Sequence, residues 1–120
     1  MLRKKNRITK ENDFDKFFGR NFKKIGGRNS SSSGFVVKAM KNELGEDRFG
    51  IIVSNKIEKR AVYRNKIKRR IREVLKKIKT EKRVRNINYD ILIVVQKGVK
   101  EMNYEMIEKE VGRLVEKAVF

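Results

Sequence analysis

The stretch from residue 56 to residue 86 constrains the fold of this chain most, because it is strongly basic and also periodically apolar. It holds fifteen Lys or Arg residues and three acidic ones. Within it, apolar residues recur at helical spacing on one stripe about 100° wide: Ile67, Ile71, Val74, Leu75 and Ile78. The spacing predicts a helix over Val62–Lys79 whose apolar stripe faces a sheet.

The predicted sheet comes from three segments. Phe35–Met40 and Arg48–Ser54 are typical of strands, and the turn Asn42–Asp47 between them predicts a hairpin. The continuous apolar run Tyr89–Val95 is typical of a central strand covered on both faces. Lys23–Gly34 is rich in Gly and Ser, so we expect a flexible connection there.

Two further helices complete the predicted α+β domain, which spans residues 1–120. Asn12 begins a short first helix that ends near Gly19 and carries three phenylalanines on one face: Phe14, Phe17 and Phe18. Asn103 caps a last helix with an apolar stripe: Ile107, Val111, Leu114, Val115 and Ala118. These helices and strands predict a two-layer domain in which the helices pack on the sheet.

Composition excludes several classes of protein. The 120 residues include neither Cys nor His, so disulfides, a thiolate nucleophile and the commonest general base are absent. No apolar run reaches the roughly 18–20 residues of a membrane span, and no signal-peptide core follows the basic start. We therefore expect a soluble cytoplasmic protein without a membrane partner.

The net charge of +18 is confined to two blocks. Residues 1–30 carry +7 and residues 56–86 carry +12, whereas residues 31–55 are neutral and residues 87–120 carry −1. Like charges at i,i+4 on a helix cost a few tenths of a kcal/mol per pair, and little acid lies nearby to relieve them. Binding to a polyanion explains this pattern, although charge alone suits DNA and RNA equally.

Arg64 departs from the helical pattern, because its position falls inside the apolar stripe, one turn before Ile67. One interpretation is a long side chain that reaches out to solvent at the end of the helix. The other is a guanidinium fork held beside the sheet for bidentate contact with phosphate. The spacing leaves both open.

The basic segment resembles the signature of the bacterial ribonuclease P protein component, and the resemblance spans nearly the whole chain in the right order. The residues that carry it are Arg64–Glu73, preceded by Val53–Lys56 and Lys59–Val62, together with Lys5–Ile8, Asp13–Phe14, Phe17–Phe18 and Asp90–Gly98.

The resemblance implies a two-layer sandwich of a mostly antiparallel four-stranded sheet and three helices, similar to a ribosomal-protein-like fold. It also implies a left-handed β-α-β crossover, where the general rule predicts a right-handed one. The implied function is that of the protein subunit of a ribonucleoprotein endonuclease. Its partners would be ribonuclease P RNA and precursor tRNA, whose 5′ leader is removed. Magnesium would be held mainly by the RNA and the substrate, and the chain alone would not be catalytic.

Site residues follow from the same resemblance. The implied RNA-binding residues are Lys56, Arg60, Arg64, Asn65, Lys66, Lys68, Arg69, Arg70 and Arg72. The implied cleft for the single-stranded leader comprises Phe14, Phe18, Val36, Lys38 and Asn55, with Phe17 left to the core. The chain departs from the family pattern at three positions: Lys38 stands where an aromatic residue is frequent, Asn55 where Lys is usual and Lys66 where Arg is common.

Two alternatives remain at this stage. A ribosomal or nucleoid protein would bind nucleic acid with no role in processing. A protein-only, metal-dependent nuclease would need clustered carboxylates, yet Glu43, Glu46 and Asp47 sit in a predicted turn and Asp13 and Asp15 in the first turn of a helix.

Overall fold

The computed structural model describes residues 7–8, 15–18, 22, 26–42, 47–80 and 88–119. These residues form a four-stranded sheet and two α-helices, so the α+β class is confirmed. In chain order the elements are β1 (Arg28–Ser31), β2 (Phe35–Asn42), β3 (Arg48–Ile52), α1 (Ala61–Thr80), β4 (Asn88–Val95), a short 3-10 helix (Lys97–Glu101) and α2 (Tyr104–Val119).

The strand order is β1-β2-β4-β3. β2 pairs antiparallel with β1 and β4, whereas β3 pairs parallel with β4. The predicted hairpin of β2 with β3 is therefore wrong, because β4 lies between them. β4 is buried at six of its eight positions and needs neighbours on both edges and cover on both faces.

The prediction of a flexible connection over Lys23–Gly34 is also wrong in part. Residues 28–31 form β1, whose backbone pairs with the edge of β2 from Arg28↔Ala39 to Ser31↔Val36. Gly26, at φ 86°, adopts a left-handed conformation just before this strand. Backbone pairing along the otherwise free edge of β2 needs no apolar side chains, so a polar segment can take this place.

β3, α1 and β4 form a β-α-β unit, because two parallel neighbours are joined through a helix. The handedness of this crossover stays a prediction. Most of the predicted helix from Asn12 to Gly19 lies outside the described residues, so the third helix is untested as well. Within residues 15–18, the Phe18 N–H donates to the Asp15 carbonyl at 3.1 Å, which closes one turn.

Both helices cover the same face of the sheet. Ile71, Val74 and Leu75 of α1 are buried in this core and Ile67 packs against it, as predicted; the side chain of Ile78 lies outside the described part. The predicted stripe of α2 is buried throughout. Asn103 Oδ1 accepts the Met106 N–H at 2.9 Å, which confirms the predicted cap.

The opposite face is covered by the N-terminal part of the chain. Ile8, Phe17 and Phe22 pack there against Met40 and Leu92. The Ile8 N–H donates to the Phe49 carbonyl at 2.8 Å, so this part of the chain also runs along the edge of β3. The N-terminal part leaves one end of this face open, and the candidate site lies at that end.

Candidate nucleic-acid interface

The open end of the sheet carries a row of three aliphatic side chains. Val94 of β4 is paired with Val36 of β2 on one side and with Ile52 of β3 on the other. All three are half-buried, whereas Leu92 in the next row is fully covered. The row forms an apolar floor that is partly open to solvent. We use the term cleft for this row together with Phe18 and Lys38.

Phe18 and Lys38 form the wall of the cleft on the N-terminal side. Phe17 is buried, which confirms its predicted place in the core, whereas Phe18 is 55% exposed. Lys38 Nζ donates to the Phe17 carbonyl at 3.2 Å and lies 4.9 Å from the centre of the Phe18 ring. A second ring, that of Phe22, lies 5.3 Å away. These contacts hold a cation against an exposed aromatic ring.

The alternation of β2 places Val36 and Lys38 on one face, as predicted, since Phe35, Val37 and Ala39 point into the helix-side core. Asn55 is exposed in the turn that follows β3. Phe14 lies outside the described residues. The structure therefore brings together three of the five predicted cleft residues, Phe18, Val36 and Lys38.

A polar rim borders the cleft where β3 and β4 end. A cavity of about 390 Å³ lies there beside Ile52 and Val94. Its polar lining residues are Ser33, Ser54, Lys56, Gln96 and Lys97. Lys56 was predicted to bind RNA with the basic helix, and its side chain lines this cavity at the end of the sheet. The rim adds two amines to the apolar floor.

Arg64 is tied to the loop before α1. Its Nη1 donates to the carbonyl of Glu58 at 2.9 Å and to that of Lys59 at 2.7 Å. The guanidinium thus satisfies two carbonyls of the protein itself, and it does not extend freely into solvent. It fixes the loop that carries Arg60.

Arg60 is held by the same loop. Its Nε and Nη2 donate to the Glu58 carboxylate at 3.0 and 3.2 Å, and its guanidinium lies 3.9 Å from the centre of the Tyr63 ring. Hydrogen bonds from the side chain and the backbone N–H of Arg60 lower the pKa of Glu58 to about 2. Arg60 and Glu58 therefore remain ionised at neutral pH, and their contact fixes the loop that leads into α1.

The other predicted RNA-binding residues are spread around the free circumference of α1. Lys66 and Arg70 border a cavity toward α2 together with Arg60. Arg72 lies on another side, near Arg7, where burial and then the Arg7 charge lower its pKa. Asn65 and Arg69 are exposed and Lys68 is half-buried. The helix therefore presents cations on more than one side.

Sequence reasoning missed four residues that border the cleft: Ile52, Val94, Gln96 and Lys97. They come together because β3 and β4 are parallel neighbours and end at the same edge of the sheet. Apolar runs followed by polar residues at both strand ends were the available signal.

The chain has no His or Cys, and within the described ranges no three acidic side chains come close enough together to share a metal ion. None of the described helices combines the length and apolarity that crossing a bilayer requires.

Comparisons of sequence and of structure with known proteins agree on one family. The sequence model of the Ribonuclease P family matches residues 2–119. The ribonuclease P protein component of Streptococcus agalactiae is 37% identical over 108 residues, which cover 90% of this chain and 89% of that protein. The solved structure of the Staphylococcus aureus RNase P protein matches with a TM-score of 0.76 at 32% identity, over 94% of each chain. The RNase P protein from Thermotoga maritima matches with a TM-score of 0.59 at 27% identity, over 79% of this chain and 92% of that one.

Proposed function

Since this chain belongs to the ribonuclease P protein family, we propose that it binds the RNA subunit of a ribonuclease P ribonucleoprotein and assists removal of the 5′ leader from precursor tRNA. The observation that carries the proposal is the cleft. It sets an exposed aromatic ring and a fixed amine beside an open aliphatic floor, on the sheet face opposite the basic helix. The molecule can thereby contact two RNA segments at once.

The leader is assigned to the cleft. Unpaired bases stack on aromatic rings for about 1–3 kcal/mol each with little preference for sequence. Phe18 offers such a ring, while Lys38 and the rim amines of Lys56 and Lys97 are placed to contact backbone phosphates. This combination suits single-stranded RNA of any sequence better than a duplex.

The RNA subunit is assigned to α1. Asn65, Lys66 and Arg69 are exposed there, and the helix has no acid in its first turn. Contacts of this kind fix position and register on an RNA backbone without reading its sequence. Catalysis and magnesium are assigned to the RNA and the substrate, in keeping with a chain that lacks His and Cys.

A comparison of precursor tRNA with mature tRNA tests the assignment of the cleft. We expect the complex of this chain with ribonuclease P RNA to bind precursor tRNA more tightly than mature tRNA. Phe18→Ala should reduce this preference roughly 5-fold or more, because one stacking contact is lost. Met106→Ala is the matched control, since Met106 is an apolar residue of similar exposure (47%) on α2. Equal losses for precursor and mature tRNA would contradict the assignment of Phe18 to the leader.

A further inference from the structure

A second cavity lies at the same end of the sheet, on the face that the helices cover. Because β3 and β4 are parallel, the loop before α1 and the short 3-10 helix before α2 both leave this edge. Between them is a cavity of about 350 Å³, which we call the helix-side pocket. Its volume lies at the lower end of the range typical of small-molecule sites.

The rim of the helix-side pocket is strongly basic. Four cations border it, Arg60, Lys66, Arg70 and Lys100, against the single carboxylate of Glu58. That carboxylate is already engaged by Arg60 at 3.0 and 3.2 Å. The remaining cations give the pocket a surplus of positive charge, which favours an anionic ligand.

The floor of the pocket is apolar, and an aromatic ring stands at its rim. Half-buried Ile67 and Met102 lie within the lining, and the Tyr63 ring beside them is 44% exposed. A bare anion gains nothing from such a floor, whereas a planar base that covers it removes apolar surface from water. A nucleotide combines such a flat ring with an adjacent anion.

We propose that the helix-side pocket binds one unpaired nucleotide of RNA, with the base on the floor beside Tyr63 and the phosphate at Lys66 and Lys100. The proposal rests on the proposed RNA-binding function and adds a second single-strand subsite to it. This subsite lies across the sheet from the cleft, so an RNA segment bound at α1 can insert a base there while the leader occupies the cleft.

An NMR titration of the free protein tests the proposal, with adenosine monophosphate and inorganic phosphate as the probes. We expect adenosine monophosphate to shift the methyl signals of Ile67 and Met102, because the ring current of a stacked base acts on nearby methyl groups. Inorganic phosphate has no ring and should leave these methyl signals in place. A nucleotide that moves only the cleft signals of Val36, Ile52 and Val94 would overturn the proposal.

Variants with matched controls give the second readout. Tyr63→Ala should weaken nucleotide binding at the pocket about 5-fold or more, because a stacking contact is lost. Lys100→Ala should also weaken it, because the phosphate loses a cation. Val62→Ala removes an exposed apolar side chain from the same helix, and Lys109→Ala removes an exposed cation from α2. Both controls should retain the wild-type affinity. Tyr63→Ala with an unchanged affinity would overturn the proposal.

The outcome is separable from that of the proposed function. If the chain assists leader removal but the pocket methyl signals do not respond to the nucleotide, the second subsite is wrong and the proposed function stands. If the pocket responds but the chain does not assist leader removal, the proposed function is wrong.

Discussion

Asp90 is the one charged residue within the described ranges that is fully buried. Its carboxylate accepts hydrogen bonds from Arg48 at 2.7 and 2.9 Å, from Asn42 at 2.7 Å and from Lys16. Burial raises the pKa of Asp90 and is the largest single effect, but the bonds from Arg48, Lys16 and Asn42 together outweigh it and hold the pKa below its usual value. The cluster joins the N-terminal part of the chain to β2, β3 and β4.

Removing this carboxylate should destabilise the fold. We expect Asp90→Asn to lower the free energy of unfolding by about 3–5 kcal/mol, because the buried negative charge that faces Arg48 and Lys16 is lost. Urea denaturation measures the change. Glu105→Gln is the control, since it breaks an exposed pair with Lys109 that contributes about 0.3–0.5 kcal/mol. A loss no larger than that of the control would contradict the role of Asp90.

The same residue predicts a pH dependence. Since the pKa of Asp90 is lower in the folded protein, the unfolded chain takes up the proton first as the pH falls. The stabilisation is fully present above the unfolded pKa of about 3.9 and is lost as the pH falls through the folded value. We expect the free energy of unfolding of the wild type to fall below about pH 4 more steeply than that of Asp90→Asn. Parallel curves would count against this carboxylate as the source.

At the scale of elements, α1 directs one arginine to the protein itself and another to solvent. Arg64 holds the carbonyls of Glu58 and Lys59, whereas Arg69 is exposed. Two residues of identical chemistry on one helix therefore have different surroundings, and substitution should separate their effects.

We expect Arg69→Ala to leave thermal stability unchanged and to reduce the dependence of log K for RNA on log salt concentration by about 0.7–0.9, one phosphate contact. Arg64→Ala should reduce the salt dependence in the same way. It should also lower the free energy of unfolding by about 1–3 kcal/mol, because two carbonyls lose their donor. Filter binding across a salt series and thermal melting measure the two effects. A lower melting temperature for Arg69→Ala than for Arg64→Ala would reverse the assignment.

The elements also show what the sequence could predict. α1, α2 and their buried residues followed from local periodicity, and the central place of β4 followed from its apolar run. The pairing of strands did not follow, because alternation along Val36 and Lys38 determines which side chains share a face but not which strand lies alongside. β1 was missed for the same reason, since its Ser and Asn side chains carry no apolar signal.

The candidate site was predictable to a similar extent. The shared face of Val36 and Lys38 followed from alternation along the strand. The place of Phe18 in the cleft followed from the family resemblance alone, since helical spacing put it on the same face as the buried Phe17. The rim at Gln96 and Lys97 depends on the parallel pairing of β3 with β4, which is a long-range property. The partners of Arg64 are backbone carbonyls, which no pattern of side chains reveals.

For the whole molecule, one arginine of the first basic block lies close to one arginine of the second. Arg7 from the first block bridges to β3 at Phe49 and lies near Arg72 from the second. The Arg7 Nε is buried without a hydrogen-bond partner within the described residues. Repulsion between the blocks opposes folding, and a bound anion relieves it.

We therefore expect millimolar sulfate to raise the melting temperature above that in chloride at equal ionic strength, because the anion binds the folded basic surface. Differential scanning calorimetry measures the shift. Arg72→Gln should show a smaller rise than the wild type. Identical melting temperatures in the two salts would show that the surface selects no multivalent anion.

The most direct test of the central claim is the rate at which ribonuclease P RNA removes the 5′ leader from precursor tRNA at low magnesium, with and without this chain. We expect the chain to accelerate leader removal and to cleave nothing on its own. No acceleration would contradict the account and favour a structural nucleic-acid-binding protein. Cleavage by the chain without the RNA would contradict it in favour of a protein-only nuclease.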